Sequence, residues 1–260
     1  MSNYIYIISE GVLNITFDIN GIEIEATYSE DNIDNIFIPL LKKMKDMYDQ
    51  KGKRVLVMLA APPGCGKSTL LSFLKYLSEN TDGLTPVTVI GMDGFHRYQD
   101  YLKTHSIIRD GHKIPMIDVK GAPETFDLDK LLDKVKHVAD GDRCMWPDYN
   151  RMTHNPQEDA TIVDSNIVIL EGNYLLLKDE GWNRLKDYAD MTISVTADTD
   201  MLHARLIDRK IMSGKGRSEA EHFVDYSDMY NVRTVLDRSS DADVMLKVLE
   251  DGSYKCVGNL

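Results

Sequence analysis

One stretch in the first third of the chain decides the fold: residues 60–69 are Ala60-Ala-Pro-Pro-Gly-Cys-Gly-Lys-Ser-Thr69. Its Gly-Lys-Ser matches the end of the phosphate-binding loop pattern, and Ala61 stands where that pattern has its first glycine. A nearly continuous apolar run, residues 54–60, precedes the loop, and a helical pattern begins at Lys67. We therefore predict a loop between a buried parallel strand and a helix, which binds the phosphates of a nucleotide.

The two prolines of this loop limit which backbone groups can bind phosphate. Pro62 and Pro63 have no N–H, so the donors are expected to be the N–H groups of the six residues that follow. These residues are Gly64, Cys65, Gly66, Lys67, Ser68 and Thr69. We expect Lys67 to reach the β- and γ-phosphates of ATP and the Ser68 hydroxyl to bind Mg²⁺. The alternative is a Gly/Pro turn followed by Lys-Ser by chance.

Strands and helices alternate on the C-terminal side of this loop. Apolar strands are predicted at residues 54–60, 86–91, 166–170 and 191–195. Helical patterns are predicted near residues 67–77, 128–138 and 200–212, with a further helix up to about residue 236 and a closing hairpin at 244–257. This alternation predicts an α/β fold with a doubly wound parallel sheet. The segments 97–125 and 141–158 are expected to be loops.

The N-terminal residues have a different character. Alternating apolar positions at residues 12–28, with Asn20-Gly21 in the middle, predict a β-hairpin with a type I′ turn. A helix is expected over about residues 31–50, with Pro39 splitting it into two pieces. We therefore divide the chain into an extension, residues 1–50, packed on a phosphate-loop domain, residues 51–260.

Composition excludes several classes of protein. The chain has 260 residues and a net charge of −12, which argues against nucleic acid as a partner. Its three cysteines are widely spaced, without a zinc or disulfide pattern, and favour a reducing, cytoplasmic location. Neither a signal peptide nor a membrane-spanning apolar run is recognisable, so no membrane partner is expected.

Two acids lie at the predicted ends of strands. Asp93, in Gly91-Met-Asp-Gly-Phe-His96, follows the second strand, where ligands bind in open parallel sheets. It could accept the proton of an acceptor hydroxyl or orient that hydroxyl, although a turn aspartate is an equal alternative. Glu171 ends the third strand and is expected to serve Mg²⁺, through water, or the substrate; a solvated strand end is the alternative.

Several segments in a fixed order resemble a known family. After the phosphate-binding loop come Met92-Asp-Gly-Phe-His96, Lys120-Gly-Ala-Pro-Glu-Thr-Phe-Asp127, Pro147-Asp-Tyr-Asn-Arg151 and Leu170-Glu-Gly-Asn-Tyr174. Over about residues 54–236 the chain resembles the phosphoribulokinase/uridine kinase/pantothenate kinase family of P-loop kinases. It is most similar to the branch often labelled fructose-transport kinase or nucleoside-triphosphate-hydrolase-domain protein.

The resemblance implies a kinase fold with a mobile helical lid, placed at about residues 205–220. It makes Asp93 the match of the family's catalytic base. Lys120 matches a position that is usually arginine, and lysine keeps the charge but loses the bidentate fork. Uridine kinases have Asp-Ser-Phe-Tyr where this chain has Asp93-Gly-Phe-His, which argues against a nucleoside substrate.

Other polar residues are candidates for the acceptor site or the lid. His96 follows the candidate base and could face the acceptor; a structural histidine is an equal alternative. Tyr149, Arg151 and His154 form a polar cluster that could hold the acceptor; a plain surface loop is the alternative. Arg205 and Arg209 are four residues apart on one helix and could supply charge to the transition state; a solvated face is the alternative. Asp228 and Asn231 match a pattern that recurs in this branch, and we assign them no physical role.

These observations predict an ATP- and Mg²⁺-dependent kinase that phosphorylates a hydroxyl of a small molecule, a sugar or sugar-like alcohol. One alternative is a nucleoside or pantothenate kinase. A second, of another class, is an ATP-binding regulator or chaperone that acts through a protein partner. A homodimer is also left open, because an appended β-element can serve as a dimer surface.

Overall fold

The computed structural model describes residues 5–9, 11–19, 22–109, 111–258 and 260. Its strands are β1 (Ile5–Ser9), β2 (Val12–Ile19), β3 (Ile22–Ser29), β4 (Val55–Ala60), β5 (Val87–Gly91), β6 (Ser106–Arg109), β7 (His112–Pro115), β8 (Cys144–Asn150), β9 (Asn155–Val163), β10 (Ile167–Gly172), β11 (Met191–Ala197), β12 (Val244–Val248) and β13 (Tyr254–Cys256). Its α-helices are α1 (Glu30–Asn32), α2 (Ile38–Lys51), α3 (Lys67–Asn80), α4 (Gln99–Thr104), α5 (Leu128–Asp140), α6 (Thr199–Met212), α7 (Arg217–Phe223) and α8 (Met229–Arg238).

A six-stranded sheet forms the centre of the molecule, in the order β13-β12-β11-β4-β10-β5. All neighbouring strands are parallel except β13, which is antiparallel to β12. In the register of the sheet Gly172 lies beside Ala60, and Glu171 lies beside Gly91. The carboxyl ends of β4, β5 and β10 therefore meet at one edge of the sheet. The parallel sheet confirms the predicted fold, and the antiparallel pair β12-β13 confirms the predicted closing hairpin.

The central strand β4 is buried on both faces of the sheet, and its side chains alternate between two cores. Val55, Val57 and Leu59 pack in a cluster with α2 and α3. Leu56 and Met58 pack in a second cluster with α5 and β10. Successive side chains point to opposite faces of the sheet, and both faces are buried, so every residue of the strand is apolar. Helices on both faces of the sheet are the doubly wound arrangement that the sequence predicts.

The N-terminal extension adds a three-stranded antiparallel sheet, β1-β2-β3. The predicted hairpin of residues 12–28 is confirmed as β2 and β3, while the predicted turn at Asn20-Gly21 lies outside the described residues. The extension packs on the core: the ring of Tyr28 stacks on Phe73 of α3 with centroids 3.7 Å apart. Strand β1 was not predicted.

The predicted N-terminal helix is confirmed, but Pro39 does not split it. The helical backbone continues from α1 through a π-helical turn, Ile33–Phe37, into α2. Pro39 lies in the first turn of α2, where its missing N–H costs least. A π-turn adds a residue to one helical turn, so the chain accommodates the proline without a break.

Both segments expected to be loops contain strands, so that part of the prediction is wrong. Residues 97–125 include α4 and the antiparallel hairpin β6-β7. Residues 141–158 include β8 and the start of β9, an antiparallel pair with an irregularity between Trp146 and Asp148. None of the helices in the described ranges is long and apolar enough to cross a membrane.

Candidate active site

The phosphate-binding loop connects β4 to α3, as predicted, and two of its glycines adopt left-handed backbone. Gly66 is the N-cap of α3, with φ of 87°. Gly64 has φ of 82°, and a Cβ there would lie 3.0 Å from Leu206 Cγ and 3.3 Å from the Leu202 carbonyl oxygen. Ala61 is not among the described non-glycine residues with positive φ, so alanine at the first glycine position causes no backbone strain.

The N–H groups at the start of α3 have no partner within the helix and face the direction in which an anion binds. The N–H of Cys65 instead donates to the Pro62 carbonyl oxygen over 3.3 Å. The thiol of Cys65 points into the core, with Sγ 3.6 Å from the Val195 carbonyl oxygen. Burial raises the pKa of this thiol to about 11, so the thiol stays neutral at physiological pH. The buried side chain packs in the core beneath the loop.

The loop lysine is held by three oxygens. Lys67 Nζ donates to the carbonyl oxygens of Ala61, at 3.0 Å, and Pro62, at 3.3 Å. Its shortest hydrogen bond, 2.6 Å, is to Oδ1 of Asn173. Asn173 lies directly after β10, within the Leu-Glu-Gly-Asn-Tyr segment, and was missed as a candidate; its place two residues after Glu171 was the available signal.

A cavity of about 210 Å³ opens beside the start of α3. It brings together five of the predicted site residues, from α3, β10, the turn after β5 and the β8-β9 hairpin. These are Ser68, Asp93, Tyr149, Arg151 and Glu171. Asp148, which belongs to the segment Pro147–Arg151 but was not predicted as a site residue, also lines the cavity. The cavity therefore joins the phosphate-binding loop to the candidate acceptor residues.

Glu171 forms part of the cavity wall and lies close to the backbone of β5. Its Oε1 is 3.2 Å from the point where a Cβ on Gly91 would lie, so a glycine leaves room for the carboxylate. Burial is the main cause that raises the pKa of Glu171 to about 7; Lys67 lowers that pKa, and Asp93 raises it. Two carboxylates near one cationic group are well suited to a bound metal.

Asp93 lies in the single-turn 3₁₀ helix Met92–Phe95 that follows β5. The Asp93 carbonyl oxygen is 3.0 Å from Nδ1 of His96, and a carbonyl can only accept, so Nδ1 carries the proton. Burial lowers the pKa of His96, which keeps the ring neutral, and the ring packs on Phe126 with centroids 4.0 Å apart. His96 thus stiffens the turn that carries Asp93.

The β8-β9 hairpin is clamped against the Asp93 turn. A Cβ on Gly94 would lie 2.3 Å from the Pro147 carbonyl oxygen, a distance that real Cβ atoms do not show. Trp146 is buried and its Nε1 donates to the Gly91 carbonyl oxygen over 2.8 Å. These contacts fix where Tyr149 and Arg151, which follow in the same hairpin, stand relative to Asp93.

Lys120 lies beside this hairpin. Its Nζ donates to the His154 carbonyl oxygen over 2.7 Å and is 4.9 Å from the centroid of the Tyr149 ring. Partial burial lowers the pKa of Lys120 to about 8, while the charge of Asp93 opposes that change. The structure therefore brings Lys120 to the acceptor side of Asp93, next to Tyr149.

The candidate lid residues lie outside the cavity. Helix α6 packs its buried face, Leu202 and Leu206, on the phosphate-binding loop. Arg205 is half-buried near that loop, where its charge lowers the pKa of Cys65, and Arg209 is exposed. The two arginines thus lie on the helix that covers the loop. Farther along, Lys215 and Arg217 pair with the acids four residues on, Glu219 and Glu221.

The donor set fits ATP with Mg²⁺. Among the described residues, no group of three or more histidine, cysteine, aspartate or glutamate side chains could hold a metal ion. Magnesium commonly binds through one or two protein oxygens together with phosphate oxygens and water. Ser68 and Glu171, which line one cavity at the phosphate end, supply such a pair.

Comparison with known proteins points to one family. The chain is 40% identical over 243 residues to the uncharacterized protein YggC of Escherichia coli, covering 93% of this chain and 98% of that protein. It is 27% identical over 197 residues to a pantothenate kinase of Lactococcus lactis, covering 68% of this chain and 61% of the relative.

A solved structure supports the same assignment. The crystal structure of a "putative fructose transport system kinase" from Silicibacter sp. TM1040 matches with a TM-score of 0.67 and 30% identity. The match covers 74% of this chain and 89% of that one. The sequence model of the phosphoribulokinase/uridine kinase family matches residues 56–251. The chain therefore belongs to the phosphoribulokinase/uridine kinase family of P-loop kinases.

Proposed function

We propose that the protein transfers the γ-phosphoryl group of ATP to a hydroxyl of a sugar or sugar-like alcohol. The observation that carries this proposal is that Ser68 of the phosphate-binding loop and Asp93 line one cavity. Direct transfer needs the terminal phosphate and the acceptor hydroxyl in line, with a carboxylate beside the hydroxyl. Family membership supports the coarser statement, a small-molecule kinase.

In this proposal the phosphate-binding loop holds ATP. The N–H groups of Gly64 and of residues 66–69 bind phosphate oxygens, and Lys67 moves from Asn173 to the β- and γ-phosphates. Ser68 would hold Mg²⁺, and Glu171 would serve the metal through water or contact the substrate. A bound metal would supply positive charge beside the phosphates. Since the reaction consumes ATP, the cytosol is the compartment that we propose.

The acceptor side is formed around Asp93. We assign Asp93 as the base that accepts or orients the proton of the acceptor hydroxyl. His96, Lys120, Tyr149 and Arg151 surround it as acceptor-binding residues, since Tyr149 and Arg151 line the cavity and Lys120 packs on Tyr149. Arg205 and Arg209 of α6 approach the transferred phosphoryl group when the lid closes.

One observation argues against a nucleoside acceptor. The close approach of Pro147 excludes any side chain at position 94, where uridine kinases have serine. The β8-β9 hairpin therefore lies nearer to the base than a serine at that position would allow.

The test is an acceptor panel. The full chain is incubated with ATP·Mg²⁺ and sugars, polyols, nucleosides or pantothenate, and ADP formation is followed for wild type, Asp93→Asn and the exposed control Asp133→Asn. We expect turnover with a sugar or polyol, a loss of about 10²- to 10⁴-fold in Asp93→Asn and none in the control.

The other outcomes would favour an alternative function or overturn the role of Asp93. Turnover only with nucleosides or pantothenate would make it a kinase of that acceptor. ATP binding with slow hydrolysis that no acceptor stimulates would favour a regulator or chaperone. Undiminished product formation by Asp93→Asn would overturn the assignment of the base.

A further inference from the structure

The ammonium group of Lys67 has as many acceptors in the protein as it has donors. An ammonium carries three N–H groups. Three oxygens lie within 3.3 Å of Lys67 Nζ: the carbonyl oxygens of Ala61 and Pro62, and Oδ1 of Asn173. The bond to Asn173, at 2.6 Å, is the shortest of them. Lys67 can therefore donate to the β- and γ-phosphates of a nucleotide only if it gives up bonds that it makes here.

The three acceptors differ in how they can release the lysine. Two are backbone carbonyls of the loop, whose Ala61 N–H is bonded to the Gly172 carbonyl oxygen at 3.3 Å. The third is the side-chain amide of Asn173, which can turn about its own torsions. A hydrogen bond from a cation to this oxygen is charge-assisted and stronger than a bond between neutral groups. Asn173 is thus the acceptor that a substitution can remove without changing the loop backbone.

The backbone on both sides of Asn173 is anchored. Gly172 ends β10, and a Cβ at that position would overlap Sδ of the buried Met92, so the strand lies close against that side chain. Tyr174 is fully buried, and its hydroxyl donates to the Gly121 carbonyl oxygen. These contacts hold the Asn173 amide beside the loop lysine, 106 residues away along the chain.

A contact that occupies the donors of a phosphate-binding cation opposes nucleotide binding. Apparent affinity falls in proportion to the fraction of the protein that is in the binding-competent arrangement. We propose that Asn173 is a positioning residue that holds Lys67 away from the phosphate oxygens and thereby lowers the affinity for ATP. It accepts Lys67 again as the product nucleotide leaves. Asn173 has this role only if the protein binds ATP, so the inference rests on the proposed function.

Nucleotide affinity tests this role without an acceptor. The full chain with Mg²⁺ is titrated calorimetrically with a non-hydrolysable ATP analogue, for wild type, Asn173→Ala, Asn173→Ser and the exposed control Asn183→Ala. Both substitutions at position 173 remove the amide oxygen, so we expect the analogue to bind about 3- to 10-fold more tightly. The control should bind like wild type. A gain in affinity is a result that a merely structural residue would not produce.

The result of the titration supports or overturns the role of Asn173. An equal Kd in wild type and Asn173→Ala would overturn it and leave the proposed function intact. Weaker binding by Asn173→Ala would also overturn it, because the amide would then present Lys67 to the phosphates. If neither protein binds the analogue, the proposed function fails together with the inference. Thermal unfolding shows whether each variant is folded, and Asn173→Ser replaces Asn173→Ala if the alanine variant is not.

A crystal structure of the wild-type protein with Mg²⁺ and the same analogue tests the contact directly. We expect Lys67 Nζ on the phosphate oxygens and more than about 3.5 Å from Asn173 Oδ1. Retention of the 2.6 Å bond with the nucleotide bound would contradict the proposal. In turnover, Asn173→Ala is expected to lower KM for ATP about 3- to 10-fold and to leave KM for the acceptor unchanged. A change in KM for the acceptor alone would assign Asn173 to the acceptor site instead.

Discussion

At the scale of residues, the two carboxylates of the cavity have different surroundings. Glu171 is half-buried at the cavity wall and shares its environment with Lys67 and Asp93, and its pKa is raised to about 7. A glutamate in this state holds its proton near neutral pH and releases it when a cation binds. This behaviour suits a residue that serves Mg²⁺ as ATP arrives.

Glu171 also makes stability depend on pH. Because its pKa is higher in the folded than in the unfolded chain, its stabilising contribution is complete below about pH 4.5 and is lost as the pH rises to about 7. We expect the free energy of unfolding of wild type, relative to Glu171→Gln, to fall by about 1–3 kcal/mol between about pH 4.5 and about pH 8. Denaturant titrations of both proteins measure this difference, and parallel pH curves would contradict it.

Single residues differ in how far the sequence could predict them. Ser68, Asp93 and Glu171 follow apolar runs directly, and the carboxyl ends of parallel strands meet at one edge, so their meeting was predictable. Asn173 carries no such local signal. Its surroundings depend on the contact with Lys67, which lies 106 residues away along the chain.

At the scale of elements, the β8-β9 hairpin positions Tyr149 and Arg151, the residues that we propose bind the acceptor. It meets the Asp93 turn where Gly94 faces the Pro147 carbonyl oxygen and where Trp146 bonds to Gly91. Those two contacts fix the positions of Tyr149 and Arg151, which follow in the same hairpin. The geometry of the acceptor side therefore depends on a glycine that has no chemical role.

A methyl group at position 94 tests this dependence. Gly94→Ala would place a Cβ 2.3 Å from the Pro147 carbonyl oxygen, so the hairpin has to shift. We expect a loss of about 1–3 kcal/mol in the free energy of unfolding and a lower kcat/KM for the acceptor. The control is Asp133→Ala, at an exposed position on α5 away from the hairpin; it should change stability by less than about 0.5 kcal/mol. Equal effects of the two variants would show that the contact between Gly94 and Pro147 does not position the hairpin.

The elements that sequence reasoning missed are those with weak local patterns. The prediction of a loop over residues 141–158 is wrong because β8 contains proline, aspartate and asparagine, which are uncommon in strands. It forms a strand because it pairs with β9 and buries Trp146. By contrast, β4, β10 and β11 are apolar enough that their pattern alone identified them.

At the scale of the whole molecule, the extension and the end of the chain are joined by one side chain. Asn32 Nδ2 donates to the Tyr254 carbonyl oxygen over 2.9 Å, and the Tyr254 N–H donates to Asn32 Oδ1 over 2.6 Å. Both bonds are buried, and the Tyr28 ring of the extension stacks on Phe73 of α3 nearby. The extension is thus part of one folded unit with the nucleotide-binding helix.

Removing this amide is expected to destabilise the entire fold. Asn32→Ala leaves the buried N–H and carbonyl of Tyr254 without partners and should lower the free energy of unfolding by about 1–3 kcal/mol. Asn35→Ala is the matched control, because Asn35 is exposed and its side chain donates to the Asp31 carboxylate on the surface; it should change stability by less than about 0.5 kcal/mol. Denaturant unfolding followed by circular dichroism provides the comparison, and a separate early transition for the extension would contradict a single unit.

Nucleotide binding should raise the stability of the whole chain. At a concentration of about 100 times its Kd, ATP·Mg²⁺ is expected to add about 2.7 kcal/mol, seen as a rise of about 5–11 °C in Tm. Removing the metal with EDTA should reduce this rise. Lys67→Ala should lose most of it, whereas the exposed control Lys136→Ala should keep it. A rise that survives in Lys67→Ala would show that ATP binds elsewhere.

The central claim is transfer of a phosphoryl group to an alcohol, and ³¹P NMR of the full reaction tests it most directly. The spectrum distinguishes a phosphate monoester on the acceptor from inorganic phosphate, while the ADP signal counts the turnovers. We predict that wild type, with ATP·Mg²⁺ and its preferred sugar or polyol, forms monoester and ADP in equal amounts. ADP accompanied only by inorganic phosphate, with every acceptor supplied, would contradict the account.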